Sequence, residues 1–156
     1  MASISELEPL FRFFMRFYRG KRYGTTPNTP LKKPLNECNI ALITTAGFYI
    51  NGQEPYVNGD CSYREIPNII QSNELKVGHK SVAYDKSDTK TDANLVFPID
   101  RFRELENEGN IGSLNHRHFS FMGSISKPRR LITESAPEVA QMLKDDGVDV
   151  AFLTPV

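Results

Sequence analysis

Tryptophan is absent, and cysteine occurs only as Cys38 and Cys61 in 156 residues. Two scattered thiols form neither a CxxC pair nor a zinc-type set. That excludes a disulfide-stapled secreted scaffold and makes a reducing cytoplasm the expected compartment. Histidine is almost as scarce, with His79, His116 and His118 alone. Three imidazoles without cysteine partners or a recognised spacing give no metal site, and none is expected. No stretch is long and apolar enough to span a bilayer, so no membrane span is expected. The opening MASISELEPLFRFFMRFYRG is no signal peptide: acidic residues precede its apolar run, arginines interrupt it, and no small-residue cleavage site follows.

Net charge is also lacking, with 19 basic and 19 acidic residues, but its distribution is uneven. Residues 1–33 carry seven basic groups against two acidic ones, leaving an acidic body behind a basic arm. Such an arm suits docking within or between molecules, or contact with an anionic surface. Leu7, Leu10, Phe11, Phe14, Phe17 and Tyr18 recur at helical spacing with arginines between them. They predict an amphipathic helix stopped by Gly20. Three prolines in 23–35 then predict an extended linker. The expected division is therefore a helix and linker over 1–35 and a single domain over 36–156.

A hydrophobic share of 39% and a charged share of 24% fit one globular domain. NIALITTAG at 39–47 reads as a buried parallel strand opening into a loop. CSYREIP at 61–67, LKVGHKSVA at 75–83 and HFSFM at 118–122 are candidate extended segments. PIDRFRELENE at 98–108 reads as a helix, with Pro98 in the first turn, a stripe of Ile99, Phe102 and Leu105, and Gly109 as stop. Ser135 and Glu138 are spaced as a capping box for a second helix over 135–146, with Val139, Met142 and Leu143 facing inward and Gly147 ending it. VDVAFLTPV at 148–156 reads as a second buried strand. This alternation predicts an α/β fold, a mainly parallel sheet with flanking helices, and places the strands at 39–45 and 148–153 side by side.

Ligands of open parallel sheets gather beyond the carboxyl ends of the strands. Thr44, Thr45 and Thr154 sit at two such ends and offer hydroxyls beside small residues. Sharp turns alone would explain the same residues. Asp60, Arg64 and Glu65 form a charged cluster that could clamp a carboxylate bidentately or simply order its loop. His79 and His118 could act as acid–base groups near neutral pH, or be hydrogen-bonded structural residues. Cys61 reads as a small buried filler.

Five blocks carry a resemblance: ALITTAG at 41–47, GDCSYREIP at 59–67, NLVFPIDRFRELENEGNIGSL at 94–114, HFSFMG at 118–123 and APEVAQMLKDDGVDVAFLTPV at 136–156. In this order they resemble the family of glycine/sarcosine/betaine reductase selenoprotein B and the D-proline reductase selenium subunit. His79 and His118 resemble polar positions in its blocks.

The resemblance implies an oxidoreductase subunit that cleaves amines or amino acids reductively. The redox residue, selenocysteine or cysteine, would stand immediately after Val156. Its selenolate or thiolate would attack a substrate held as a Schiff base on a pyruvoyl group of a partner subunit. The expected partners are that subunit, other reductase components and a small amine or amino-acid substrate, with no nucleic acid. No cofactor or catalytic residue is expected within 1–156. The chain is expected to stop after a core strand at a UGA codon read as stop, a naturally short paralogue being the alternative, and to be inactive alone. A non-catalytic α/β binding module is the alternative.

Overall fold

A computed structural model describes Phe13, Phe17, Gly24 and residues 29–156. The amphipathic helix predicted over 7–18 thus lies, except for Phe13 and Phe17, outside the described residues. Those two rings are exposed and meet edge to face, their centroids 5.1 Å apart. The chain divides between Pro30 and Leu31, and the unit Leu31–Val156 is the subject from here on.

The apolar run after Cys38 forms the central strand β1, Asn39–Thr44. Further along come β2 (Phe48–Tyr49), β3 (Tyr63–Pro67) and β4 (Lys76–Val77). The helices α1 (Ser87–Thr91) and α2 (Ile99–Asn107) follow. The chain continues with β5 (Ser113–Leu114), β6 (Arg117–Phe121), α3 (Ala136–Asp145) and β7 (Val150–Thr154).

Along one edge β1 pairs in parallel with β7, from Ile40 opposite Val150 to Thr44 opposite Thr154. Along its other edge it pairs in parallel first with β5, at Asn39 and Ile40, and then with β6, at Ile43 and Thr44. β3 lies antiparallel on the outside of β6. The fold is therefore α/β with a mainly parallel sheet, and the two strands expected to be neighbours are neighbours. A separate two-stranded ribbon joins β2 and β4.

Side chains of a strand alternate between faces, and β1 serves two cores in this way. Ile40 and Leu42 pack with Phe48, Ile66, Phe97 and Ile99, against which Phe102 and Leu105 of α2 lean. Ala41 instead joins Phe119, Phe121 and the Val139 and Leu143 of α3. Burial on both faces explains why this strand is an unbroken apolar run. α3 ends where Gly147 takes φ +70°, the left-handed conformation in which glycine has no Cβ to clash. There the Gly147 and Val148 amides donate to the Lys144 and Leu143 carbonyls, closing the last turn.

Four expectations need correction. Ser135 does not cap α3, because the chain is already helical before it: Leu131–Ser135 wind as a π-helical turn, and the Ser135 hydroxyl donates to the Cys61 carbonyl. Only Lys76–Val77 of the segment 75–83 is a strand, since among the described residues its β-sheet partner is the two-residue β2. β7 is a strand but not a buried one. It is paired on the β1 side, and Phe152 and Leu153 keep 40% and 64% of their surface exposed. The Phe102 ring covers part of this face, its centroid 4.8 Å from that of Phe152. Cys61 is half-buried rather than a core filler, whereas Cys38 is fully buried. Among the described residues no helix is long and apolar enough to cross a membrane.

Candidate functional site

Parallel pairing brings the carboxyl ends of β1, β6 and β7 to one edge of the sheet. The threonines there stitch the strand exits together. The Thr45 amide donates to the Thr154 carbonyl at 3.2 Å, and the Val156 amide donates to Thr45 Oγ1 at 3.0 Å. Thr44 Oγ1 accepts from the Ala46 amide at 3.1 Å and donates to the Thr154 carbonyl at 3.3 Å. Thr154 Oγ1 donates to the Val96 carbonyl at 2.7 Å. Thr44 and Thr154 thus use their hydroxyl protons on the fold, while Thr45 gives its proton to no described residue. β1 and β7 consequently leave the sheet side by side, held in register as far as Val156.

His79 reaches the same edge from the segment after β4. The Gly78 amide donates to the Gly47 carbonyl at 2.8 Å, which brings this segment onto the loop leaving β1. The imidazole is 2% exposed and meets the Tyr84 ring edge-on at 4.8 Å. Its Nδ1 accepts from the Ser81 amide at 3.1 Å, so in the neutral ring the proton sits on Nε2. Burial, aided by the Lys86 charge, pulls its pKa below the ordinary histidine value and keeps the ring neutral at physiological pH. Nε2 faces Gly123. A Cβ on residue 123 would lie 2.8 Å from it, 3.1 Å from the Thr45 carbonyl oxygen and 3.2 Å from that of Val156.

His118 is a different kind of histidine. It lies at the start of β6, fully buried, and both ring nitrogens have partners. Nδ1 accepts from the Leu42 amide at 3.1 Å, and Nε2 lies 3.3 Å from Asn68 Oδ1. Leu42 falls where β1 passes from pairing with β5 to pairing with β6, so the ring takes the place of a missing backbone acceptor. Burial above all, with Arg103 and His116 adding to it, lowers its pKa to about 3.

Asp60 and Arg64 lie towards the same edge two strands across, Arg64 opposite Ser120 and Ser120 opposite Thr44, but among the described residues no hydrogen bond joins them or Glu65 to the threonines or His79. The Arg64 guanidinium donates to Asp60 Oδ2 at 3.3 Å, to Ser62 Oγ at 2.7 Å and to the Glu54 carbonyl at 2.8 Å. It also lies 4.2 Å over the Tyr56 ring. Burial would raise the Asp60 carboxyl, but hydrogen bonds from Ser62 and the Arg64 charge outweigh it and hold the pKa below its usual value. Glu65 points instead to Arg117, 3.3 Å away. Asp60 and Cys61 line an open cleft of about 420 Å³ with Lys127, Arg129 and Arg130. Among the described residues no group of three or more His, Cys, Asp or Glu side chains could hold a metal ion.

The structure therefore brings Thr44, Thr45, Thr154 and His79 together, sets Asp60 and Arg64 two strands away along the same edge, and does not join His118 or Glu65 to them. It adds Gly123, which the sequence did not single out. Gly123 directly follows the HFSFM strand segment, and a glycine at a strand's carboxyl end was the available signal.

A sheet with parallel strands ending together beside hydroxyls, glycines and a buried imidazole belongs to the α/β class that holds ligands at its carboxyl edge. The chain belongs to the glycine/sarcosine/betaine reductase selenoprotein B family, whose model matches residues 21–156. It is 37% identical to the D-proline reductase subunit gamma of Acetoanaerobium sticklandii over 127 residues, covering 81% of this chain and 52% of the relative. It is 27% identical to the glycine reductase complex component B subunit gamma of Carboxydothermus hydrogenoformans, covering 85% of this chain and 31% of the relative. The betaine reductase complex component B subunit beta of Peptoclostridium acidaminophilum is 25% identical, with 78% of this chain and 29% of the relative covered. The chain thus spans about half the length of the first relative and under a third of the other two. No solved structure matches it.

Proposed function

We propose that residues 36–156 form the part of a reductase-complex subunit that builds the seat for a redox selenocysteine or cysteine placed directly after Val156. The full protein would then reductively cleave an amine or amino acid of the D-proline, glycine, sarcosine or betaine type. The observation that carries this reading is the meeting of the β1 and β7 exits with the His79 imidazole beside the Val156 carbonyl. The nearest polar group of the chain's own is His79 Nε2, buried without a hydrogen-bond partner and packed against Gly123, where a Cβ would lie 2.8 Å away. Such a residue would supply a polarisable nucleophile that acts in its ionised form.

The chain's own residues have definable tasks in this reading. Thr45 fixes the Val156 amide, and with it the direction in which the backbone leaves β7. Thr44 and Thr154 lock the two exits together. His79 offers a neutral N–H donor in a place closed to water, where an uncompensated charge is costly and a hydrogen bond counts for more than in solvent. The amine-holding pyruvoyl group belongs to a partner subunit, and no residue here is assigned to it. Unpaired Cys38 and Cys61 suit a cytoplasmic complex.

The test is to assemble the complete protein, continued past Val156, with its partner subunits and a dithiol reductant, and to follow the consumption of the four substrates. Turnover of at least one is expected, and it should survive replacement of Cys38 and Cys61 by serine. Turnover of none, or turnover that disappears with Cys61→Ser alone, would overturn the proposal.

A further inference from the structure

On a body with more acidic than basic residues, one open cleft of about 420 Å³ is lined by Lys127, Arg129 and Arg130. It lies at the carboxyl edge of the sheet. Cys61, also in its lining, shortly precedes β3, whose Tyr63 pairs with Phe121 at the end of β6, and Lys127 follows β6. The walls are tied together: the Ser135 hydroxyl donates to the Cys61 carbonyl, and Cys61 Sγ reaches the Lys127 carbonyl at 3.8 Å. The nearby acids are already engaged, Asp60 with Arg64 at 3.3 Å and Glu134 with Arg130 at 3.1 Å. Among the described residues no carboxylate lies within ion-pair distance of Lys127 or Arg129. Neighbouring like charges repel one another, and an anion seated between them offsets that cost. Distance narrows the choice of anion. Strands lie about 4.8 Å apart, so in the order β3, β6, β1, with β7 beyond β1, the cleft is about 10–15 Å from the β1 and β7 exits. One amino acid spans about 3.5 Å. A small substrate reacting at those exits is too short to place its carboxylate here, so the anion belongs to something larger lying along the same edge.

We propose that this cleft docks an acidic segment of the partner subunit that presents the substrate. This rests on the reading above, which puts the reaction at the neighbouring strand exits and the substrate on a partner. A partner that delivers substrate to that edge passes over the cleft. Arg129 and Arg130 carry planar guanidinium forks that can take a carboxylate two-pronged, and Lys127 adds an adaptable ammonium. Val57, 64% exposed on the same rim, offers apolar contact beside the charges. Exposed charges of this kind act chiefly on encounter and register, so association rather than chemistry should depend on them.

The experiment titrates the full-length protein, continued past Val156, with the purified pyruvoyl-bearing subunit and reads their affinity by calorimetry. Lys127→Glu combined with Arg129→Glu changes two exposed residues. It should weaken binding about tenfold or more at about 0.05 M salt and much less at about 0.5 M, where screening is stronger. The kcat at saturating partner should not change. Lys144→Glu reverses a charge at the far end of α3 and should leave the affinity within about twofold. Cys61 gives a local readout, since Cys38 is fully buried: alkylation of Cys61 by iodoacetamide, followed by peptide mapping, should slow several-fold in the complex. Unchanged affinity of the double variant, or Cys61 labelled as fast in the complex as in the free protein, would overturn the docking site and leave the proposed function standing. Unchanged affinity together with protection of Cys61 by inorganic phosphate or D-proline alone would likewise overturn it and assign the cleft to a small anion. No binding between the wild-type protein and the subunit would overturn both readings.

Discussion

The amino edge of the sheet, opposite the proposed site, is tied by a knot around Asp146, and Asp146→Asn should loosen it by a predictable amount. Arg117 Nε and Nη2 each donate to the Asp146 carboxylate at 2.7 Å, a two-pronged pair, and Asn115 Nδ2 donates to the same group at 3.0 Å. The Asp146 carbonyl also accepts from Asn39 Nδ2 at 3.3 Å, so the knot joins the end of α3 to the starts of β1 and β6. The Asp146 side chain is only 8% exposed and that of Arg117 21%. Asparagine turns one acceptor oxygen into a donor facing the guanidinium. Removing one partner of a buried ion pair costs about 3–5 kcal/mol. Arg117 keeps partial solvent contact and its Glu65 partner, which places the expected loss near 3 kcal/mol at pH 7, about 10 °C in Tm.

The pH dependence gives a second, independent check. Hydrogen bonding from Arg117 lowers the folded pKa of Asp146 to about 2 from the ordinary 3.8. As pH falls, the unfolded chain therefore takes up this proton first. The stabilisation is complete above about pH 4 and fades towards pH 2. Urea titrations followed by circular dichroism should show a wild-type-to-variant gap of about 3 kcal/mol at pH 7, narrowing steadily below pH 4. A gap under about 1 kcal/mol, or one that is the same at pH 7 and pH 2.5, would refute the reasoning.

Two further outcomes follow from the packing. His118→Phe should cost about 1–3 kcal/mol in urea titrations, because it leaves the buried Leu42 amide without its acceptor. In the wild type the His118 ring should show no NMR titration near pH 6.5. Since its folded pKa is lowered to about 3, its contribution to stability is whole above the unfolded value and declines as pH falls towards 3. Gly112→Ala should lower Tm sharply or abolish folding. Its Cβ would sit 2.6 Å from the Glu37 carbonyl carbon and 2.7 Å from the Cys38 amide nitrogen, both backbone atoms that cannot swing aside. An unchanged Tm would show that the turn before β5 is looser than these distances imply.

The elements legible in the sequence are those whose pattern is local. β1 is an apolar run because both its faces are buried. α2 and α3 show a helical stripe and end at Gly109 and Gly147, both at positive φ. β7 was legible as a strand but not as an exposed one, because hydrophobicity records which residues could be buried rather than which neighbours are present. The capping box failed for a related reason. Ser135 has the right spacing to Glu138, but capping needs a non-helical residue, and the π-helical turn from Leu131 removes that condition. β5 escaped notice because two residues carry no period. The antiparallel seating of β3 on β6 is a long-range fact that no short window contains.

The site divides along the same line. Thr44, Thr45 and Thr154 could be proposed from their places at strand ends, because parallel strands ending together is a consequence of topology. The histidines could not be told apart in the sequence, since each is one imidazole in a polar segment. Their difference lies in the partners of two nitrogen atoms. His118 has Leu42 and Asn68 and is used up in joining β1 to β6. His79 has Ser81 on one side and nothing on the other. Both rings are buried and both are held neutral, so burial and acidity alone would rank His118, with its larger shift, as the more perturbed group. Position reverses that ranking. His118 sits within the sheet, where a satisfied ring completes the backbone ladder, while His79 lies where the ladder ends and a donor is still without an acceptor. In this fold it is the unsatisfied valence at the carboxyl edge, rather than the size of the pKa shift, that sets His79 apart from His118.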